Sequence, residues 1–283
     1  MRATTAILIL FAGVTTARDA PQYSGWNRDW QDNFEGSIST TPDLDKWNII
    51  TGWLDVNQEI EIYSDSTKNL QLSGNGSVQL VPRNDSGVWT SARIESKYVF
   101  TPASRKRTKV ESYFRFGSGD INRKQGIWPA FWMLGDSFRH GTMWPQCGEI
   151  DILEQLNGRL TAYSTIHCDI EGEGGMCQDP MGIEGRTSIP DQSWHKWSVV
   201  IDRTPQHWQD ETITFYKDDS QYWRFKGASI PSEAVWATIA HSPLYIILNV
   251  AVGGDWVWDS SPHHHYKLVW CCLELTLNAS PAW

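Results

Sequence analysis

Between Gly148 and Gln155 the chain reads GEIDILEQ, which sets three carboxylates, Glu149, Asp151 and Glu154, into a run otherwise built of isoleucine and leucine. An apolar, β-branched run of this kind reads as a buried strand, where an unpaired charge is costly unless it faces a cleft, shares a proton or accepts hydrogen bonds. Side chains alternate along a strand, so Glu149 and Asp151 share a face and Glu154 points away. One extra residue in a β-bulge near Leu153 returns Glu154 to the face of the other two. With a single bulge the outer Cα atoms stand about four strand steps apart, roughly 13 Å at about 3.3 Å per step. Two glutamates leaning inward over a concave sheet can then bring their carboxyls to about 5 to 5.5 Å, the separation suited to retaining glycoside hydrolysis. The same acids could instead pair with basic side chains on adjacent strands, because structural ion-pair networks also gather carboxylates.

The elements that must hold this row are β-strands. Val110, Ser112, Phe114 and Phe116 alternate with Glu111, Tyr113 and Arg115; Trp197, Val199 and Ile201 alternate with Ser198, Val200 and Asp202; Ile213 and Phe215 continue the pattern. Turns are expected at Asn75-Gly76, Ser86-Gly87 and Asp218-Asp219. A short helix is expected from Ser232 to about Ala240, with Pro231 before it, Ser232 as N-cap and Glu233 in its first turn. Many short strands with almost no helix imply an all-β, antiparallel β-sandwich.

The 283 residues suit one sizeable domain, 18–283, behind a secretory signal at 1–17, where Arg2 precedes an apolar stretch ending in Thr15, Thr16 and Ala17. That segment is too short to span a membrane, and no other apolar run is long enough, so a secreted, extracellular protein without a membrane partner is expected. A net charge of -9 argues against nucleic acid. The basic cluster Arg105, Lys106, Arg107 and Lys109 reads as a solvated loop. Sequons at Asn75, Asn84 and Asn278 fit passage through a secretory pathway. Cys168 and Cys177 could close the Gly-rich loop between them as a disulfide, and Cys147 reads as a small buried thiol. Competing chemistries leave no trace: no Gly-x-Ser-x-Gly elbow, Walker-type loop or His-Glu-x-x-His occurs, and GEGG at 172–175 lacks dinucleotide spacing. His263, His264 and His265 followed by Cys271 and Cys272 make a poor metal set, so no metal and no cofactor are expected.

Directly upstream of the acids lie GIWPAFWMLGD, Gly126 to Asp136, and WPQCGE. Together with EIDILE this wording resembles glycoside hydrolase family 16, in its laminarinase-like branch of endo-β-1,3- and β-1,3(1,4)-glucanases. Further segments that resemble the family, and in its order, are NQEIEIYSDSTKNL (57–70), WTSARIESK (89–97), STIHC (164–168) and PLYIILNVAVGGDW (243–256). The resemblance covers about residues 26–258, and its wording is most similar to secreted fungal members. It implies a concanavalin A-like jelly roll with an open concave cleft, and retaining, endo-acting hydrolysis of β-1,3- and/or mixed β-1,3(1,4)-glucans by a monomer. Carried onto this motif, Glu149 is the nucleophile and Glu154 the acid/base, with a pKa raised by the like charge of Glu149. Asp151 orients Glu149 by a hydrogen bond. A β-glucan transglycosylase or a non-catalytic β-glucan-binding protein are the alternative functions, and the intact acids argue against the latter.

Seventeen tryptophans exceed what an ordinary core needs. Flat sugar faces stack on indoles, and the family match places Trp128, Trp132 and Trp256 in the cleft. By the same match His167 lines the cleft beside the acid/base, and Arg93, Asn249 and Asn57 are cleft polar groups. Each could instead be a structural packing or hydrogen-bonding residue. After Trp256 the chain departs from the family: residues 259–283 read as an atypical tail where members carry a closing strand, either a divergent strand or an unrelated stretch that would leave a neighbouring strand's edge uncovered.

Overall fold

The computed structural model describes residues 22–117, 124–169 and 175–257, together with the backbone of 271–279. The strands in chain order begin with β1 (Asn27–Asp32), β2 (Trp47–Ile50), β3 (Ile62–Tyr63), β4 (Leu70–Leu72), β5 (Val78–Leu80) and β6 (Arg83–Asp85). They continue with β7 (Val88–Ser91), β8 (Arg93–Phe100), β9 (Arg107–Phe116), β10 (Ile127–Gly135), β11 (Glu149–Gln155) and β12 (Thr161–His167). The last are β13 (Ile183–Ser188), β14 (His195–Asp202), β15 (Thr212–Lys217), β16 (Ser220–Lys226), β17 (Leu244–Val252) and β18 (Cys271–Ala279).

One sheet has the order β13-β12-β11-β10-β17-β8-β2, and a second the order β16-β15-β14-β9-β18-β5-β4 with β1 joined to β18. A small sheet, β3-β7-β6, sits apart from both. The two large sheets are antiparallel and enclose the core, to which Phe131, Ile150, Ile152 and Leu248 contribute from one side and Val110, Phe114, Val199 and Phe215 from the other. This is the antiparallel sandwich that the alternation predicts, in the jelly-roll form that the resemblance implies: the apolar phases of β9, β14 and β15 all turn inward. Strand β17 departs from simple alternation and is buried at every position. Its even-numbered residues enter the core, whereas Tyr245 and Ile247 join Leu134, Cys147 and Trp132 on the opposite face.

Turn chemistry matches the sequence. Ser86 and Gly87 both have positive φ and join β6 to β7, and Asp218 and Asp219 do the same between β15 and β16. Two successive positive φ values give the hairpin turn whose twist suits antiparallel strands. The helix α1 spans Glu233–Ala240, and the Ser232 hydroxyl accepts the Val235 N–H as its N-cap.

One open alternative is decided and one expectation corrected. The tail does supply a closing strand: β18 pairs with β9 from Cys271 opposite Phe116 to Ala279 opposite Thr108, with β5 at Cys272 and Leu273, and with β1 along Trp30–Asp32. Its leucines at 273, 275 and 277 keep a period of two, and they stand in register with Phe114, Ser112 and Val110. The basic cluster is not all loop either. Arg107 begins β9 and lies over the Trp26 ring, and Lys109 is buried beside Glu111 and the Tyr23 ring. The signal segment and His263–His265 lie outside the described residues.

Candidate active site

The acids sit on β11, and a bulge aligns them. Asp151 is opposite Thr165 and Glu154 opposite Tyr163 on β12, so Ser164 faces two residues, Ile152 and Leu153. The pairing with β10 slips at the same place, from Trp132 opposite Asp151 to Phe131 opposite Leu153. Ile150, Ile152 and Leu153 are thereby kept in the core, and Glu154 joins Asp151 on the other face. The bulge expected near Leu153 is present.

Antiparallel pairing brings the remaining groups across that face. Glu149 stands opposite His167, Ala130 lies between Glu154 and Asn249, and Asn249 is opposite Arg93. The Trp128 indole N–H donates to Glu154 Oε1 at 2.9 Å, and Thr165 Oγ1 lies 3.5 Å from Glu154 Oε2. Trp256 packs 5.7 Å from the Trp128 ring and 6.0 Å from Tyr163, between ring centroids. Trp132 donates to Asn249 Oδ1 at 2.8 Å and carries the Arg93 guanidinium over its ring at 5.0 Å. Asn249 in turn donates to the Tyr63 hydroxyl, which donates to Glu59. Asn57 donates to the same Glu59, and its carbonyl accepts the Asp255 N–H beside Trp256.

All ten residues singled out from the sequence thus gather on one side of one sheet. His167 is placed differently from expectation. It lies at the Glu149 end, its Nε2 at 3.4 Å from Asp151 and 3.7 Å from Glu149, and not beside Glu154, because the end of β12 pairs with the start of β11. The imidazole also takes the contact to Asp151 that the sequence assigned to Glu149.

Electrostatics distinguish the two glutamates. Burial, then the charge of Asp151, pushes Glu149 up to about 8, while His167 and Arg93 pull it back. Burial, then Asp151, carries Glu154 well above the ordinary range; Trp128 and His167 oppose this, and Glu149 contributes least of the five causes. Desolvation and Asp151, more than the like charge of Glu149, therefore favour the protonated form of Glu154. Burial raises Asp151, against His167. For His167 burial alone would favour the neutral ring, but bonds to Asp151 and Asp179 and the charge of Glu149 raise it well above its usual value. Glu149, Asp151 and His167 offer donor atoms within 4.8 Å of one another, a spacing open to a cation. An imidazolium bonded through both nitrogens has no lone pair to give one, and supplies the positive charge itself.

Sequence reading missed Tyr63, Glu59, Asp179 and Trp144, whose ring lies 5.3 Å from that of His167. The first two lie within the quoted 57–70 segment, where Asn57 alone was chosen. Of the tryptophans, Trp47, Trp197 and Trp236 are fully buried core residues. The Cys168–Cys177 disulfide is formed, and Cys147 is a buried free thiol.

A jelly roll carrying a bulged, triply acidic strand under tryptophans is also what comparison with known proteins finds for this chain. The family model for XgeA-like, catalytic GH16 domains matches residues 77–193. Glucan endo-1,3-beta-glucosidase A1 of Niallia circulans is 31% identical over 263 residues, covering 86% of this chain and 36% of that protein. The beta-glucanase of Rhodothermus marinus is 29% identical over 241 residues, covering 82% of this chain and 77% of that one. The crystal structure of an endo-1,3-beta-glucanase from Streptomyces sioyaensis superposes with a TM-score of 0.85 at 28% identity, covering 94% of this chain and 100% of that one. The chain belongs to glycoside hydrolase family 16. It spans about a third of the length of the Niallia protein.

Proposed function

We propose that the protein hydrolyses β-1,3- and/or mixed β-1,3(1,4)-glucans internally, with retention of anomeric configuration. The observation that carries this reading is the bulge in β11, which puts Glu149, Asp151 and Glu154 on one face with a cation at one end and an indole donor at the other. Glu149 attacks the anomeric carbon as a carboxylate while Glu154 protonates the departing glycosidic oxygen. The covalent glycosyl-enzyme is then opened by a water whose proton Glu154 takes. Their surroundings separate the roles: His167 and Arg93 favour the carboxylate of Glu149, whereas burial beside Asp151 favours the protonated acid at Glu154. Glu149, Asp151 and Glu154 share that titration. His167 and Arg93 stabilise the nucleophile's charge. Trp128, Trp132 and Trp256 offer faces to successive sugar rings, with Asn57 and Asn249 for hydroxyls.

We further propose export and action outside the cell as a monomer, which the Cys168–Cys177 disulfide supports. Reducing-end release from laminarin, lichenan, agarose and chitin tests the substrate. Laminarin, with or without lichenan, should be cleaved, and cleavage of agarose or chitin alone would refute the reading. Chain lengths of the products on oligosaccharides separate hydrolysis from transfer, since transfer yields chains longer than the substrate.

A further inference from the structure

The His167 ring is held from both sides. While Nε2 faces Asp151 and Glu149, Nδ1 lies 2.7 Å from Oδ1 of Asp179. Asp179 follows the Cys168–Cys177 disulfide, which ties its segment to the residue after β12. Gly182 lets this segment close on the ring: a Cβ there would stand 2.7 Å from Cε1 and 2.9 Å from Nδ1 of His167. The Asp179 side chain is 0% exposed, and its Oδ2 has no hydrogen-bond partner among the described residues. A buried carboxylate with one bare oxygen is costly, and loop closure alone would be served by a neutral side chain. The charge has one use within reach.

We propose that Asp179 is a positioning residue of the hydrolytic site: it accepts the Nδ1–H of His167, keeps the ring an imidazolium in one orientation, and so presents Nε2–H to Asp151 and Glu149 through both half-reactions. This rests on the proposed function. The groups facing the ring are Glu149 and Asp151 from β11, Asp179 from its loop and the uncharged Trp144; Arg93 acts on Glu149 from β8. A directed Nε2–H stabilises the Glu149 carboxylate before attack and again as it leaves the glycosyl-enzyme. The paired Asp179 charge weakens the net field of the cation, so Glu149 is held without being deprived of nucleophilicity.

Asp179→Asn keeps the shape and an acceptor for Nδ1–H but removes the charge. In the free enzyme the His167 imidazole resonances, assigned by their loss in His167→Asn, should titrate about 1 to 3 pH units lower in Asp179→Asn. The alkaline limb of kcat/KM on laminarin should move down with them, and kcat should fall more than KM changes. Unmoved resonances and an unmoved limb, with only Tm lowered, would mean that Asp179 merely closes the loop and would overturn the proposal. In a His167→Asn background Asp179→Asn should alter kcat/KM no further, whereas independent losses would overturn it. Should Asp179→Asn not fold, the unaltered enzyme decides: an imidazolium persisting above pH 8 supports the proposal, and a ring neutral at pH 7 refutes it. The resonance titration needs no substrate. A protein that shows the shift yet cleaves no glucan would therefore sink the functional reading alone.

Discussion

Replacing Trp128 by Phe should change the pH dependence of catalysis more than it changes substrate binding. The substitution removes the N–H that Glu154 Oε1 accepts at 2.9 Å and keeps an aromatic face near Trp256. That bond favours the carboxylate over the acid, so its loss raises a pKa already driven up by burial. A hydrogen bond to a charged group contributes about 1.5 to 3 kcal/mol, and one pKa unit corresponds to about 1.36 kcal/mol. The alkaline limb of kcat/KM, where Glu154 loses the proton it must donate, should therefore rise by about 1 to 2 pH units. In the second half-reaction Glu154 works as the carboxylate, and the lost bond should slow breakdown of the glycosyl-enzyme by about 10- to 150-fold. An aryl β-glucoside of laminaribiose with a good leaving group bypasses the acid in the first step, so Trp128→Phe should give a pre-steady-state burst followed by slow turnover. A limb that stays put or moves down, with no burst, would show that the Trp128–Glu154 bond does not tune the acid/base and that Trp128 serves only as a sugar platform.

Glu149→Gln and Glu154→Gln should each cut turnover by orders of magnitude while leaving glucan binding measurable by calorimetry, and Asp151→Asn should cost less; near-native activity in either Gln variant with intact folding would reverse the assignment. Glu149→Gln should also stabilise the fold at alkaline pH: a folded pKa of about 8 against about 4.3 unfolded means the native carboxyl stabilises the fold below the lower value and loses that contribution as pH rises through the upper one, so the Tm gain should be larger at pH 8 than at pH 5. Proton NMR of early hydrolysis should show the β-anomer first. With azide, Glu149→Ala should give an α-glycosyl azide and Glu154→Ala, on a substrate with a good leaving group, the β-azide; swapped products would exchange the roles. Truncation before Cys271 should lower Tm and soluble yield, because it strips a nine-residue ladder from β9 and exposes its edge; unchanged values would show that β18 is dispensable.

Elements whose signal is local were readable in the sequence. The alternation in β9, β14 and β15 gave the inward faces, the Ser86-Gly87 and Asp218-Asp219 pairs gave hairpins, and Ser232 gave a helix start. The acidic row was readable because three carboxylates in a β-branched run require a common polar face, and only a bulge provides one at that spacing. What escaped depends on pairing between distant segments. Which acid His167 meets is fixed by the β11–β12 register, which the spacing within STIHC does not contain. Asp179 reaches the site only because a disulfide and Gly182 fold its loop over the ring, and nothing in its neighbours marks it as buried. The tail stayed open between a divergent strand and a missing one for a different reason. Its wording departs from the family's last strand, but the period-two leucines that a strand needs are all there.

In the proposed mechanism two identical side chains five positions apart behave as opposites, one an anion and the other an acid, and the ladder positions account for it. Before the bulge, Glu149 pairs with the strand end that carries His167 and is within the influence of Arg93, so positive charge favours its ionised form. Beyond the bulge, Glu154 pairs with Ala130 and Tyr163, and the side-chain donor closest to it is a neutral indole. The extra residue at Ile152–Leu153 does two things at once. It returns Glu154 to the common face and advances it along the ladder into the apolar, tryptophan-lined part of the cleft, where the protonated form is favoured. A regular strand could do neither, since it would turn Glu154 into the core beside Ile150 and Ile152. In the proposed mechanism acid/base asymmetry is thus a consequence of strand register, and the same bulge that makes the row visible in the sequence sets Glu154 against an indole donor while Glu149 stays opposite His167.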